Sequence, residues 1–379
     1  MKKLTMLFVL SLVTTLSVIA LSFDIDENKD VDLNGIKKII FDLNAPDGAR
    51  FISTDRQTYS INGDGKGRIL ELSLKGGMNS NNKKAAPSLY VDKTDSILTV
   101  KLYKDRAPSL GFMQTGSIHF EAALPEYFDG EIDVVSSSKN ISVTNLNTKI
   151  LKTESSSGDI TVASIEAETI LFTASSGKTT ANDLSAIKNI VIHSSSGDVE
   201  LTNLLSEKAE VKASSGKIVV NRMRTTKELS INANSGMITA NFIEGRSVSL
   251  DTDSGKISVK RLKAKESSAE TSSGAIAVSK LDSGNAYFKS SSGQISIDVE
   301  KLSGDIDVGN GSGDVDIMIP AETGFDVDLT AYAGKIRSAF KLLGEVNGNR
   351  KNEVIGAANG GGHRIMVKAS SGHINIKEK

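Results

Sequence analysis

The fold class that the sequence predicts is all-β: a single-stranded parallel β-solenoid, wound from coils of 19 or 20 residues with two short strands per coil and closed at its start by a β-rich N-terminal cap. Three observations predict it: a Ser-Ser-Gly phrase that returns at near-constant spacing, apolar residues alternating with polar ones on either side of each phrase, and the absence of proline between Pro125 and Pro320. A self-similar period near 20 means one supersecondary unit that must stack on its neighbours to bury its apolar face. Proline would remove a ladder donor from such a stack.

The chain opens with Lys2 and Lys3, an apolar stretch from Leu4 to Phe23, and small residues at Ala20 and Ser22. That order describes a secretory signal over residues 1–22. The stretch is also close to the roughly 20 residues that span a bilayer, so an uncleaved N-terminal anchor is the alternative. Either way the rest is expected to be exported, to the periplasm, the cell surface or beyond, and to meet a membrane only through this segment. There is no cysteine, which excludes disulfides, thiolate metal sites, Cys nucleophiles and lipid attachment at an N-terminal Cys. Aromatic residues make up 5% and Trp is absent, which weakens any reading that needs stacking platforms. A formal charge of -1 with both signs interspersed gives no basic footprint for nucleic acid.

Residues 23–130 form the expected cap, continuous with the solenoid. Strand-like runs at Ile39-Ile40-Phe41, Ile69-Leu70-Glu71-Leu72, Ile97-Leu98-Thr99-Val100 and Ile118-His119-Phe120 are separated by turn signals such as Asn62-Gly63-Asp64-Gly65.

The solenoid follows over residues 131–379. Its corner glycines are Gly158, Gly177, Gly197, Gly216, Gly236, Gly255, Gly274, Gly293, Gly313, Gly334 and Gly372, and from Gly158 to Gly313 the chain covers 155 residues in eight steps of 19 or 20. Two residues after each Gly stands an Ile or Val, such as Ile160, Val199, Ile218 and Ile238, with Thr179 the exception. Alternation continues four residues on, at Val162, Leu201 and Val220, and reads as a strand with one buried face. A second strand precedes the next Gly, as at Ile170 and Phe172 or Ala209 and Val211, and between the two an apolar residue recurs at Ile165, Leu184, Leu204 and Met223. Each Gly is expected to supply a corner conformation that a Cβ would resist, and each Ser pair to satisfy local backbone groups or to stack as a hydroxyl ladder. Gly334 to Gly372 is 38 residues, which reads as one coil carrying a loop excursion within 340–360, around Asn347 to Lys351.

Phe120-Glu121-Ala122-Ala123-Leu124-Pro125 ahead of the first serines, the Ser-Ser-Gly-Asp-Ile coils, Ile319-Pro320-Ala321-Glu322-Thr323-Gly324-Phe325-Asp326-Val327 and Asn359-Gly360-Gly361-Gly362 before the terminal Ser-Ser-Gly together resemble the bacterial toast-rack family of adhesin-type β-repeat proteins. The resemblance covers about residues 35–379. It implies an exported or membrane-linked β-repeat domain with an adhesive or envelope-stress role, and it carries no catalytic residues.

No catalytic residue and no cofactor is expected. The densest acidic cluster, Asp305, Asp307, Asp314 and Asp316, is the one candidate metal site, for Ca²⁺ with oxygen ligands. The acids that follow corner glycines at Asp159 and Asp198 read as simply solvated. The same cluster suits the two carboxylates of a sugar-cleaving enzyme, a third-ranked reading. His119, His193, His363 and His373 are scattered over different elements, and Asn359-Gly360-Gly361-Gly362 lacks the Lys and helix of a phosphate loop and reads as a turn. A dozen equivalent serines without a matching His column are corner chemistry rather than nucleophiles. The leading function is a non-catalytic adhesin-like or scaffolding protein at the cell envelope. Its expected partner is an envelope or surface protein or a glycan, with end-to-end self-association as a further expectation. The alternative is a membrane-anchored envelope-stress or signalling accessory.

Overall fold

A computed structural model describes residues 21–44, 51–52, 58–65, 67–80, 87–102, 114–344 and 352–379. All but the last two residues of the expected signal segment, and the excursion's turn at Asn347–Lys351, lie outside the described residues. Every strand among the described residues belongs to one sheet, which winds as a parallel solenoid with coils of 19 or 20 residues.

The coil after Gly197 shows how the pattern works. Val199–Ala213 is one continuous strand and pairs in parallel with Ile218–Ala233 through three segments: 199–201 on 218–220, 204–206 on 223–225, and, after a shift in register, 208–213 on 228–233. The first and last are the two strands expected from the alternation. The middle segment carries the recurring apolar residue, here Leu204, and extends the ladder between the corners. Val199, Leu201, Leu204 and Val211 point inward and are at most 2% exposed. Burying each such side chain stabilises by about 1.5–3 kcal/mol, an upper value because unfolded chains already hide some apolar surface. Thr179 occupies an inward position of the Ile/Val column, fully buried, with no partner for its hydroxyl.

The corner glycines follow a different rule from the one expected. Of the eleven, only Gly313 and Gly372 have positive φ. What excludes a side chain at the others is close approach. A Cβ on Gly216 would stand 2.0 Å from the carbonyl oxygen of Gly197, one on Gly236 1.9 Å from that of Gly216, and one on Gly255 1.8 Å from that of Gly236. The glycines form a column in which each coil's carbonyl occupies the space that the next coil's Cβ would need.

The first full coil, Asn140–Ser155, rests on two strands from different parts of the chain, Thr58–Gly65 under its first segment and Tyr127–Ser136 under its last. Below the former lie Gln114–Pro125, then Ile69–Ser80 and Leu21–Asp32, both antiparallel. Below the latter lie Lys38–Asp42, then Ile97–Lys101 and the antiparallel Tyr90–Thr94. Phe41, Tyr59 and Phe120 fill the space between, with ring centroids 6.1 and 6.0 Å apart in edge-on contacts. On the outer surface Lys38 lies 3.0 Å from Glu131 and 2.6 Å from Asp133, and Lys152 also pairs with Glu131.

At the other end, spatial order departs from chain order. Ile306–Ser312 and Val315–Ile319 are covered not by the next segment of chain but by the C-terminal strands His363–Ser371 and Ile374–Glu378. Phe325–Ala333 and Ile336–Ser338 stack outside those strands. The glycine column therefore runs Gly313, Gly372, Gly334. This corrects the reading of a coil with a loop excursion: Glu353–Ala358 turns back antiparallel on Phe325–Ala333, its Ala357 bridges Leu343, and the C-terminus returns beneath as the penultimate layer.

Two outcomes follow. Gly216→Ala is expected to lower stability by about 1–3 kcal/mol, the cost of overpacking a tight contact, whereas Ser215→Ala, one residue away and exposed, stays within about 0.5 kcal/mol. Urea unfolding midpoints of the two variants check this, and equal losses would refute the close-approach account. The second concerns acid. Burial opposes ionisation of Glu131, but the Lys152 and Lys38 ammonium groups outweigh it and hold the carboxyl at about 2, down from 4.5. A folded pKa below the unfolded one gives stability that is complete above about 4.5 and vanishes as pH falls through about 2. Glu131→Gln should therefore lower the melting temperature at pH 7 and flatten its fall between pH 4.5 and 2; parallel curves for the two proteins would count against it.

Candidate interaction surface

Outward positions repeat with the coil, so a residue type that recurs at one position becomes a file along the rod, with members about 4.8 Å apart. The Ser pair ahead of each glycine makes the most regular file. Ser156 and Ser157, Ser175 and Ser176, and Ser195 and Ser196 are exposed. Their backbone N–H groups donate to the coil below, Ser156 to the carbonyl of Ser136 and Ser175 to that of Ser155. The corner carbonyl is instead served by the buried residue three before the glycine: the Oγ of Ser155 donates to the carbonyl of Gly158, and that of Ser194 to the carbonyl of Gly197, each at 2.7 Å. The paired serines thus keep their hydroxyls free for solvent or a ligand.

Acids after corner glycines prove to be clamps between coils. The Asp159 carboxylate accepts the Lys178 N–H at 2.9 Å, Asp198 accepts that of Lys217 at 2.8 Å, and Asp314 that of His373 at 2.8 Å. They are not simply solvated: each satisfies an N–H that the corner turns away from the ladder. Of the calcium candidates, Asp314 is spent in this way, and Asp305 accepts the Arg364 N–H at 2.9 Å. Asp316 accepts from Gln294 and Asn375 and pairs with Lys377 at 2.7 Å. Burial opposes ionisation of Asp316, and Lys377, Gln294 and Asn375 overcome it, holding the carboxyl below its ordinary range. Asp307 lines a shallow groove of about 410 Å³ with Glu266, Tyr287, Asp305 and Arg364. Among the described residues no three His, Cys, Asp or Glu side chains converge on a metal-sized space. The histidines stay apart, His193 with Glu210 at 3.0 Å, His363 3.8 Å from Asp305, and His373 accepting from the Lys335 N–H. Asn359, Gly360 and Gly361 take successive positive φ values, which is a turn.

The file six residues after each corner glycine, and after Lys139 in the first coil, marks a corner that changes character along the rod. Asn145, Ser164, Asp183 and Asn203 hold φ between 52° and 59°. Short polar side chains tolerate that conformation best, so their identity follows from the backbone. At the equivalent Arg222, Phe242, Arg261 and Lys280 φ is no longer positive. Two grooves meet at Asn203, where the corner switches. One, of about 900 Å³, is lined by Asp64, Glu126, Asn145, Glu166 and Asp183; the other, of about 590 Å³, by Asn221, Arg222, Asn241, Phe242, Lys260, Arg261 and Lys280. Asn203 donates to Asp183 at 2.7 Å and Asn241 to Asn221 at 3.1 Å, so amides link successive coils along both grooves. Sequence reasoning missed the cationic corner residues Arg222, Arg261 and Lys280 because they lie a coil or more apart in the chain; reading every sixth residue after a glycine would have found them.

Parallel coils paired strand on strand and files of exposed polar side chains define a repeat protein of the β-solenoid class. The family model described as Toastrack DUF4097 matches residues 64–244 and again 207–377. The chain belongs to that family. Among solved structures it is similar to a candidate cell adhesion protein from Clostridium sporogenes ATCC 15579, at 12% identity over 94% of this chain and 100% of that one, with a TM-score of 0.22. It is also similar to a candidate adhesin from Bacteroides fragilis NCTC 9343, at 14% identity over 62% of this chain and 97% of that one, with a TM-score of 0.33. At those scores the fold assignment rests on the ladder itself and on the family match. No curated protein matches the sequence.

The clamp role is separable from a ligand role. Asp198→Ala should cost about 1 kcal/mol through the lost hydrogen bond, and Asp198→Asn, which keeps an acceptor, markedly less. Thermal unfolding of both checks this, and equal loss in the two would point to charge rather than to the clamp.

Proposed function

We propose that this is a non-catalytic, exported, adhesin-like protein that presents a repetitive solenoid surface for polyvalent contact at the cell envelope. The observation that carries the reading is the file structure: coil after coil offers the same small exposed hydroxyls and polar side chains on a rigid ladder. Individually weak contacts to a repeating partner then multiply, because each later contact is made at high effective concentration. Twisting or shearing of the array is resisted by inter-coil clamps such as Asp198 to Lys217. The apolar stretch Leu4–Phe23 behind Lys2 and Lys3 supports export. Family membership agrees with a β-repeat module and brings no catalytic set with it.

Cell fractionation, protease treatment of intact cells and N-terminal sequencing of the recovered protein test this reading. The expected result is a chain beginning near Phe23 that is shaved from intact cells, and loss of cell-to-surface attachment when the protein is deleted. A protein that is protected from protease and still carries Leu4–Phe23 would replace adhesion with the anchored envelope-signalling role.

A further inference from the structure

The groove that runs from Asn203 to Lys280 carries a line of four cations, and its backbone does not explain the line. Arg222, Arg261 and Lys280 take the corner position on their coils, with Lys260 beside Arg261. Their φ angles are ordinary, so this corner tolerates almost any residue, unlike the left-handed one that precedes it. One carboxylate answers them: Glu300 lies 3.1 Å from Arg261 and 3.9 Å from Lys280. Arg222 and Lys260 have no carboxylate within ion-pair distance among the described residues, although the neighbouring outward file is closely paired, Arg224 with Glu244 at 3.2 Å and Lys263 with Glu244 at 3.1 Å. Four cations thus line one concave strip with a single carboxylate against them, in a chain whose net charge is -1.

We propose that this strip binds an acidic polysaccharide lying along the rod. Spacing argues for a linear polymer. Successive coils rise by about 4.8 Å, so Arg261 and Lys280 are about one rise apart and Arg222 and Arg261 roughly 10 Å apart. Such a repeat suits anionic groups carried on successive or alternate sugar rings. The exposed amides of Asn221 and Asn241 stand between the charges and offer both donors and acceptors to ring hydroxyls. Phe242 is the single aromatic in the strip, with the Arg224 guanidinium 5.2 Å from its ring centroid. That leaves no series of rings for bases to stack on, as single-stranded nucleic acid requires. A concave strip flanked by amides also fits a chain better than a flat anionic membrane. The proposal names a ligand class for the interaction reading above and rests on it.

The test titrates the purified full-length chain with polygalacturonate, and with neutral dextran, duplex DNA and anionic phosphatidylglycerol vesicles for comparison, at low and moderate salt. Polygalacturonate should bind most tightly, with affinity falling as salt rises, and dextran should not bind. The triple substitution R222Q, K260Q and K280Q should weaken polygalacturonate binding at least tenfold. A control with the same change in charge elsewhere, K188Q, K208Q and K227Q, should stay within twofold; these lysines already pair with Glu168, Glu228 and Glu207. Circular dichroism confirms that both variants fold. Equal weakening in both variants would overturn the proposal in favour of bulk electrostatics, tighter binding of DNA or vesicles would assign the strip to that occupant, and no binding to any probe would end it. Cells that attach normally with the triple variant would leave the adhesin-like reading standing while removing this ligand. Protein that is protected inside the envelope would remove the reading itself, whatever the titration shows.

Discussion

The structure depends on one distance, the rise between neighbouring strands of a ladder, imposed on every coil at the same corner. At that corner the backbone of one coil passes so close to the next that the carbonyl oxygen of Gly197 occupies the place of a Gly216 Cβ, and the same holds down the column. At nine of the eleven corner positions glycine is required by packing and not by torsion, Gly313 and Gly372 being the two with positive φ. Once the column is pinned, the residues two and four positions on must face inward together, which is why Ile, Val and Leu recur at those places. Coil length is then free to vary only elsewhere. In the coils from Ile160 to Thr252 the irregularities fall at one other corner, between Ala167 and Thr169, between Ala186 and Asn189, between Ser206 and Lys208, and between Arg224 and Glu228. An extra residue is absorbed there without disturbing the inward faces on either side.

A ladder of this kind has two open ends, and an open parallel edge invites another chain. Both ends are closed with antiparallel strands. Ile69–Ser80 and Tyr90–Thr94 turn against the direction of the coils at the start, with Leu21–Asp32 antiparallel outside the former, and Glu353–Ala358 does so at the finish. The C-terminal end adds a second device, since His363–Glu378 lies between the coil before it and the one outside it. The outermost coil cannot reach its final neighbours until His363–Ser371 and Ile374–Glu378 are in place. Asp316, held by Asn375 and Lys377 of the inserted strand, ties that layer to the one beneath. The closing coil is thereby coupled to the insertion of His363–Glu378, whereas an ordinary solenoid adds each coil on the last.

Much of this could be read from the residues. The period, the inward columns at Ile160, Val199 and Ile218, and the proline-free stretch give the solenoid and its coil length, because each reflects a one-dimensional regularity. The features that could not be read depend on what lies across a coil boundary. The cause of the glycine column is a carbonyl about 19 residues earlier, and the role of Asp198 is an N–H 19 residues later. A separation of 38 residues between Gly334 and Gly372 fits two spatial orders equally well, and the order chosen is set by which strand caps Val315–Ile319. The proposed binding strip was hidden for the same reason. Arg222 and Lys260 are two coils apart in the chain and become a surface only when the coils stack.

The switch at Asn203 separates residues held by the backbone from residues that are not. Where the corner is left-handed, Asn145, Asp183 and Asn203 satisfy a torsional demand, and the acidic groove beside them is partly a by-product of that demand. Where the corner relaxes, the torsional reason for short polar side chains disappears. A surface under no other constraint would be expected to mix charges there, as the adjacent file of Arg224, Glu244 and Lys263 does. Arg222, Lys260, Arg261 and Lys280 depart from that mixture against a local cost, since like charges placed a rise or two apart repel one another. That repulsion is relieved in part by Glu300. An anionic chain laid in the groove would relieve the rest, which gives the strip a physical reason to recognise an acidic polymer and to release it as salt rises.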